Sequence, residues 1–192
     1  MKINSLADLE RIKAEYKEKL SKYKYQVLVC GGAGCISSNC GAVKEALINC
    51  LSEKDLLEQV AVIETGCMGI CAVGPVLLIM PDETFYVEIN PDKMVEIVES
   101  HILNGTIKEE YTYFDRGQGR YIPHYSEIDF FKDQVKIALR NCGVIDYSSI
   151  HAYIARDGYF AAAKVLEDMS AEVVIDEIKK SGLRGRGGGK QE

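Results

Sequence analysis

Apolar residues recur along this chain in two ways, at every third or fourth position in some segments and in short unbroken runs in others. Near the N-terminus four of them follow the first pattern among Lys and Glu: Leu6, Leu9, Ile12 and Tyr16. That spacing predicts an amphipathic helix over residues 5–22, with Ser5 as its N-cap.

Short segments rich in apolar, β-branched and aromatic residues predict strands. Four such segments occupy residues 25–29, 60–63, 76–80 and 85–88. A helix with a continuous apolar face separates the first two, from about residue 39 to residue 51, and another follows the fourth over residues 91–102, with Asn90 as its N-cap. The order helix, strand, helix, three strands, helix predicts an α/β protein whose layout resembles thioredoxin, a two-layer sandwich.

From residue 106 to residue 126 the periodicity lapses, and aromatic residues are scattered among charges and glycines, which predicts an extended linker. Helical spacing resumes over residues 128–141, with Phe131, Val135 and Leu139 facing inward. Shorter helices are predicted over residues 149–156, 158–168 and 171–180, the last capped by Ser170. We therefore expect a thioredoxin-like domain at residues 1–105, a linker at 106–126 and a C-terminal helical extension at 127–192.

The composition narrows the class of protein. A formal net charge of −6 at pH 7 argues against a nucleic-acid-binding protein and suits a small redox carrier that meets protein partners partly through charge. No apolar run approaches the roughly 20 residues that a membrane span requires. The N-terminus lacks the apolar centre of a signal peptide, so we expect a reducing, cytoplasmic compartment. There the seven cysteines are expected to be metal ligands or buried thiols rather than disulfides.

Four cysteines form two short pairs, each placed just after a predicted strand. Cys30 and Cys35 enclose Gly-Gly-Ala-Gly, and Cys67 and Cys71 enclose Met-Gly-Ile. An iron–sulfur cluster is held by Cys thiolates and is itself anionic, so its loops need backbone N–H donors rather than acidic side chains. Both intervals contain glycine, and neither contains Asp or Glu. The sequence therefore predicts a cluster held by these four cysteines.

The spacing leaves alternatives open. Zinc sites also use cysteines separated by two to four residues, so a zinc-stabilised interaction module that docks a larger redox subunit is the competing hypothesis. A redox dithiol would need C-x-x-C, which the chain lacks. Cys40 follows Cys35 at the interval that separates Cys35 from Cys30, so it is a candidate replacement ligand at the start of its helix. Cys50 lies on the apolar face of that helix and is expected to pack in the core.

These residues resemble a known family. The two cysteine pairs, with Gly74-Pro75 after the second, resemble the thioredoxin-like [2Fe-2S] ferredoxins, which include the small iron–sulfur subunit of bacterial respiratory NADH dehydrogenase. The likeness spans residues 25–105. It implies one-electron transfer through a [2Fe-2S] cluster, a function in which no substrate bond is made or broken and no catalytic residue is assigned.

The rest of the chain resembles the start of the flavin- and NADH-binding subunit of the same enzyme. The matching stretches are residues 133–135, 139–143, 153–159 and 181–188. A ferredoxin-like module fused ahead of that subunit is similar to the beta subunit of NADH- or NADP-linked, often electron-bifurcating, [FeFe]-hydrogenases. The resemblance implies partner subunits in a multisubunit redox complex that contains FMN, uses NAD(P)H and holds further iron–sulfur centres.

The glycine-rich tail is where the chain departs from that family. Glycines and arginines together can hold a phosphate through backbone N–H groups and charge. Four residues match the start of the family's FMN loop: Gly185, Arg186, Gly187 and Gly188. In the family the run continues as Gly-Phe-Pro, whereas here Lys190 and Gln191 come next. We therefore expect a loose basic tail that binds no FMN on its own, in a polypeptide that alone does not oxidise NADH.

Overall fold

The computed structural model describes residues 2–184 of the 192-residue chain. Its first helix, α1, spans Leu6–Ser21, and the Ser5 hydroxyl caps it by accepting a hydrogen bond from the Asp8 backbone N–H at 3.4 Å. Leu9 and Ile12 are buried on its inner face. The predicted amphipathic helix and its N-cap are confirmed.

The central sheet has four strands, and its pairing brings two loops together. The strands are β1 (Tyr25–Cys30), β2 (Val60–Thr65), β3 (Leu77–Met80) and β4 (Thr84–Tyr86), in the order β2-β1-β3-β4. β1 runs parallel to β2, with Cys30 beside Thr65, and antiparallel to β3. Because parallel strands end at the same edge of a sheet, the loops that leave β1 and β2 start side by side. All four predicted strands are confirmed.

Three helices lie among and after these strands. They are α2 (Ala33–Ser37), α3 (Cys40–Glu53) and α4 (Pro91–Ile97), and α4 continues as a π-helical stretch over Val98–Leu103. α3 and α4 contact each other and share a buried core with one face of the sheet. Both were predicted from their apolar spacing. α2 was not, because its glycine-rich sequence carries no helical period.

The opposite face of the sheet is covered by residues that lie beyond position 105. Three of them are fully or nearly fully buried against strand residues such as Leu78 and Phe85: Ile122, Ile128 and Phe131. The chain after α4 therefore completes the core of the sheet. Burial of this kind is the main stabilising contribution to a small domain.

The segment over residues 106–126 runs along the outer edge of β4, on the side away from β3. Isolated bridges join Tyr86 to Thr112 and Thr84 to His124. Between those bridges the chain forms a hairpin of β5 (Tyr113–Asp115) and β6 (Arg120–Ile122). The sequence did not predict this hairpin, because its strands are only three residues long and are rich in charge.

Up to residue 184, the C-terminal extension contains four further α-helices. They are α5 (Asp129–Lys132), α6 (Ile150–Ala155), α7 (Phe160–Asp168) and α8 (Ala171–Ser181). α6 and α7 pack against α1 in a small core of their own that includes Leu9 and Ile154. The predictions of α6, α7 and α8 are confirmed, as is the α/β class with a helical C-terminal extension. No helix within residues 2–184 has both the length and the apolar character needed to cross a bilayer.

The prediction of a helix over residues 128–141 is wrong. α5 ends at Lys132, and Val135 and Leu139, which were predicted to face inward, are 86% and 62% exposed. Phe131 is buried as predicted. Beyond it the chain leaves the sheet and reaches Met68, against which Gly143 packs. Tertiary contacts of this kind override a local helical preference, which is a weak prior.

A buried polar network stabilises the junction between the sheet and α4. The Tyr86 hydroxyl hydrogen-bonds His101 Nδ1 at 3.0 Å, and His101 Nε2 lies 2.9 Å from Asp82 Oδ2. The Lys108 backbone N–H donates to the same hydroxyl at 3.3 Å. Burial is the main cause that raises the pKa of Tyr86. His101 is thus a core residue, consistent with its isolation from the cysteine pairs in sequence.

Replacing Tyr86 by phenylalanine is expected to lower the free energy of unfolding by about 1–3 kcal/mol, because the buried His101 ring nitrogen and the part-buried Lys108 N–H lose their partner. Urea unfolding of the wild type and Tyr86→Phe measures this difference. Tyr111→Phe is the matched control, since that hydroxyl donates to the exposed Glu96 carboxylate and its loss leaves a solvated partner. Equal losses in the two variants would contradict a stabilising role for the buried network.

Candidate metal centre

The two cysteine loops lie against each other at one edge of the sheet. The Gly31 backbone N–H donates to the Thr65 carbonyl at 2.8 Å, and the Cys30 N–H donates to the Val76 carbonyl at 3.2 Å. The first loop is therefore tied to both ends of the second. It then turns into α2, which carries Cys35. The fold brings together the two loops that carry the predicted ligands, as expected for loops that leave adjacent parallel strands.

Three glycines allow the loops to interlock. A Cβ atom added to Gly32 would lie 2.9 Å from the Cys67 Cβ, and one added to Gly34 would lie 3.0 Å from the Cys71 Cβ. In the other direction, a Cβ on Gly74 would lie 3.0 Å from the Cys35 sulfur. Carbon atoms do not approach this closely without displacement, so a glycine at each position is what permits the contact.

The thiols form an inner and an outer pair. Cys30 and Cys35 are buried, whereas Cys67 and Cys71 are exposed. The sulfur atoms of Cys67 and Cys71 lie 3.7 Å apart. A tetrahedral metal with bonds of about 2.3 Å to sulfur places two ligands at a similar separation. Among residues 2–184, no three or more Cys, His, Asp or Glu side chains are grouped as ligands of a single metal ion.

Without a metal, the pKa values of two of these thiols, Cys35 and Cys71, are raised, which favours their protonated form. The pKa of Cys35 is raised to about 12, mainly by burial, with a smaller contribution from its hydrogen bond with Cys30. The pKa of Cys71 is also raised, first by its hydrogen bond with Cys67. Because a coordinating cation deprotonates a thiol, metal binding at this site would release protons.

Backbone N–H groups point at the sulfurs of both pairs. The Gly69 N–H donates to the Cys67 sulfur at 3.3 Å, from a left-handed backbone with φ of +103°. Val76 supplies the corresponding backbone hydrogen bond to Cys35. Donors of this kind stabilise anionic sulfur and help set the potential of an iron–sulfur cluster. The donor set and the close glycine contacts therefore fit a cluster held between the loops.

One acidic side chain reaches the site from outside the cysteine intervals, and sequence reasoning missed it. A Cβ on Gly31 would lie 3.0 Å from Glu64 Oε1. Glu64 is paired with Lys44 through its other oxygen, and the Tyr147 hydroxyl donates to Oε1 at 2.7 Å. The Lys44 hydrogen bond is the main cause that lowers the pKa of Glu64. No local pattern signals this group, because its partners lie 20 and 83 residues away in sequence.

The other cysteines are placed as follows. Cys40 is buried in the first turn of α3, as predicted, and its burial is the main cause that raises its pKa. Cys50 packs in the core between α3 and the sheet, which confirms its predicted packing role. The residues predicted as a remnant FMN loop lie outside the described residues: Gly185, Arg186, Gly187 and Gly188.

Comparison with known proteins identifies the family. The sequence profile of the thioredoxin-like [2Fe-2S] ferredoxins matches residues 14–101. A 2Fe-2S ferredoxin from Clostridium pasteurianum is 40% identical over 73 residues, which are 38% of this chain and 72% of that ferredoxin. The chain belongs to the thioredoxin-like [2Fe-2S] ferredoxin family. Its cysteine loops are therefore part of a ferredoxin-like electron-transfer domain of the [2Fe-2S] type.

Two further relatives extend the comparison. The chain is 61% identical over 57 residues to the NADP-reducing hydrogenase subunit HndC of Solidesulfovibrio fructosivorans, a match that covers 30% of this chain and 11% of HndC. It is therefore similar to a short part of a hydrogenase subunit. Among solved structures, the thioredoxin-like [2Fe-2S] ferredoxin of Aquifex aeolicus is 28% identical, with a TM-score of 0.43, over 46% of this chain and 95% of that chain.

Proposed function

We propose that Cys30, Cys35, Cys67 and Cys71 hold the [2Fe-2S] cluster and that the chain passes single electrons within a multisubunit redox complex. The observation that carries this proposal is the interlocking of the two loops, in which Gly32 and Gly34 each lie against a cysteine of the opposite loop. This close contact places the cysteines of the second loop beside the first loop, as a cluster shared between the two loops requires.

The two thiol pairs have different tasks in this proposal. The buried pair, Cys30 and Cys35, anchors the group to the sheet and shields it from water on that side. The exposed pair, Cys67 and Cys71, faces solvent and gives a redox partner its shortest approach. When bound, the cluster supplies reversible one-electron chemistry. The chain contributes the ligands, the backbone N–H donors and the burial that adjust its potential.

The complex we propose is a cytoplasmic, NADH- or NADP-linked hydrogenase or NADH dehydrogenase. The similarity to the hydrogenase subunit HndC supports this, as does the resemblance of residues 127–192 to the start of a flavin- and NADH-binding subunit. In this proposal residues 1–105 are the ferredoxin domain and residues 106–126 are a linker that packs along β4 of that domain. FMN and NAD(P)H bind elsewhere in the complete subunit or complex.

Metal and sulfide analysis of anaerobically purified protein tests the proposal. We expect about two irons and two acid-labile sulfides per chain, and a paramagnetic signal after one-electron reduction. The competing hypothesis is a zinc-stabilised interaction module that docks a larger redox subunit. It predicts a colourless protein with stoichiometric zinc and no sulfide, and that result would overturn the electron-transfer proposal.

A further inference from the structure

The chain beyond the ferredoxin domain crosses over the second cysteine loop. We call residues 128–148 the cover segment. It touches the loop at three places: Phe130 beside Gly69, Gly143 beside Met68, and Asp146 beside Thr65. The family profile matches only residues 14–101, so the cover segment lies outside the part of the chain that the family accounts for.

Met68 is the centre of this contact. It lies between Cys67 and Gly69, yet it is only 2% exposed, while Cys67 next to it is exposed. A Cβ atom on Gly143 would lie 3.0 Å from the Met68 Cγ and 3.3 Å from its Cα. Gly143 has a φ of +78°, a conformation that favours glycine. The backbone of the cover segment thus packs directly against Met68, the residue that follows Cys67.

The far end of the cover segment is fixed to the strand that leads into the loop. Asp146 forms an antiparallel bridge with Thr65, the last residue of β2. The next residue, Tyr147, donates its hydroxyl to Glu64 at 2.7 Å. Thr65 is fully buried at this junction. The second cysteine loop is therefore held at its start by Asp146 and Tyr147 and near its middle by Gly143.

We infer that the cover segment positions the outer ligand pair, with Gly143 as the principal positioning residue, so that Cys67 and Cys71 keep their place beside the first loop. This inference rests on the proposed role of these cysteines as cluster ligands. Outer groups that orient metal ligands typically change metal affinity by about 10- to 100-fold when altered. Solvent exposure also adjusts the potential of an iron–sulfur cluster, so a displaced cover is expected to shift it.

Gly143→Ala tests the inference against a matched control. The added methyl group would press on Met68, and the left-handed backbone would be strained. Gly119→Ala introduces the same strain, at a φ of +65°, where a Cβ would meet nothing within 4 Å. We expect iron release to a chelator to be about 10- to 100-fold faster in Gly143→Ala than in Gly119→Ala. We also expect a more positive midpoint potential, because admitted water stabilises the extra negative charge of the reduced state.

A second arm uses metal-free protein, so that it does not depend on the cluster. Iodoacetamide should label Cys35, which is buried against Gly74 of the second loop, several-fold faster in Gly143→Ala than in Gly119→Ala, while the labelling of exposed Cys67 changes little. If Gly143→Ala does not fold, Tyr147→Phe replaces it, with Tyr111→Phe as its control and a smaller rise in the same rates expected. Equal iron release, equal potentials and equal labelling in variant and control would overturn the inference. Wild-type protein without iron and sulfide would instead overturn the proposed function.

Discussion

Cys67→Ala is expected to leave the protein without its iron–sulfur cluster. The side chain is exposed, so its truncation removes a ligand with little effect on the folded core. Loss of a direct ligand costs more than the roughly 10- to 100-fold in metal affinity that is typical of an outer partner. The iron and sulfide content of the variant should therefore fall to near zero after gel filtration, together with the visible absorption of the cluster.

Cys50→Ala is the control for this experiment. Cys50 is buried in the core between α3 and the sheet, in a different core cluster from Cys30 and Cys35, so we expect a small loss of stability and a full complement of iron. Iron and sulfide at wild-type levels in Cys67→Ala would show that the ligand set is wrong.

A separate comparison of Cys35→Ala with Cys35→Ala/Cys40→Ala asks whether Cys40 replaces a lost ligand. If it does, only the double variant is colourless.

The second large effect is expected at the contact between the loops. Gly32→Ala places a methyl group 2.9 Å from the Cys67 Cβ and 3.1 Å from its Cα, so one loop must move. The φ of Gly32 is −68°, which any residue adopts, and the effect therefore comes from the contact alone. We expect a loss of about 1–3 kcal/mol in the free energy of unfolding, as for overpacked cores, and incomplete cluster incorporation.

Gly66→Ala is the matched control for Gly32→Ala. Gly66 directly precedes Cys67 in the same site, but a Cβ there would meet nothing within 4 Å. A change of less than about 0.5 kcal/mol and a normal iron content are expected for this variant. Urea unfolding and iron analysis of both variants measure the difference. If Gly32→Ala matched Gly66→Ala in both measurements, the close approach of the loops would not be a requirement of the site.

Much of the secondary structure could be predicted from the sequence, because hydrophobic periodicity and helix capping depend on residues that are close in sequence. Ser5 and Asn90 mark helix starts because their side chains accept hydrogen bonds from backbone N–H groups three residues on. The four strands follow from short segments rich in apolar, β-branched and aromatic residues, which suit a largely buried sheet. The same local reasoning failed over residues 128–141, where Val135 and Leu139 have helical spacing but nothing to pack against.

The candidate site was likewise predictable only where its residues are close in sequence. Cysteine pairs and their glycines are close in sequence, so the two ligand loops and their chemistry were predictable. The pairing of Glu64 with Lys44 and Tyr147 was not, because it joins β2 to a helix and to the C-terminal extension. The contact between the cover segment and Met68 was not predictable either, because it depends on the backbone at Gly143.

By itself, the sequence determined that two glycine-lined cysteine loops follow strands of an α/β domain, because strand formation and loop chemistry depend on neighbouring residues. Only the tertiary structure decided that these loops interlock and that residues 128–148 lie across one of them. The physical reason is that parallel pairing of β1 with β2, and the burial of Phe131 on the second face of the sheet, set where distant segments meet. Such contacts depend on the packing of the whole chain and leave no periodic signal in any one segment.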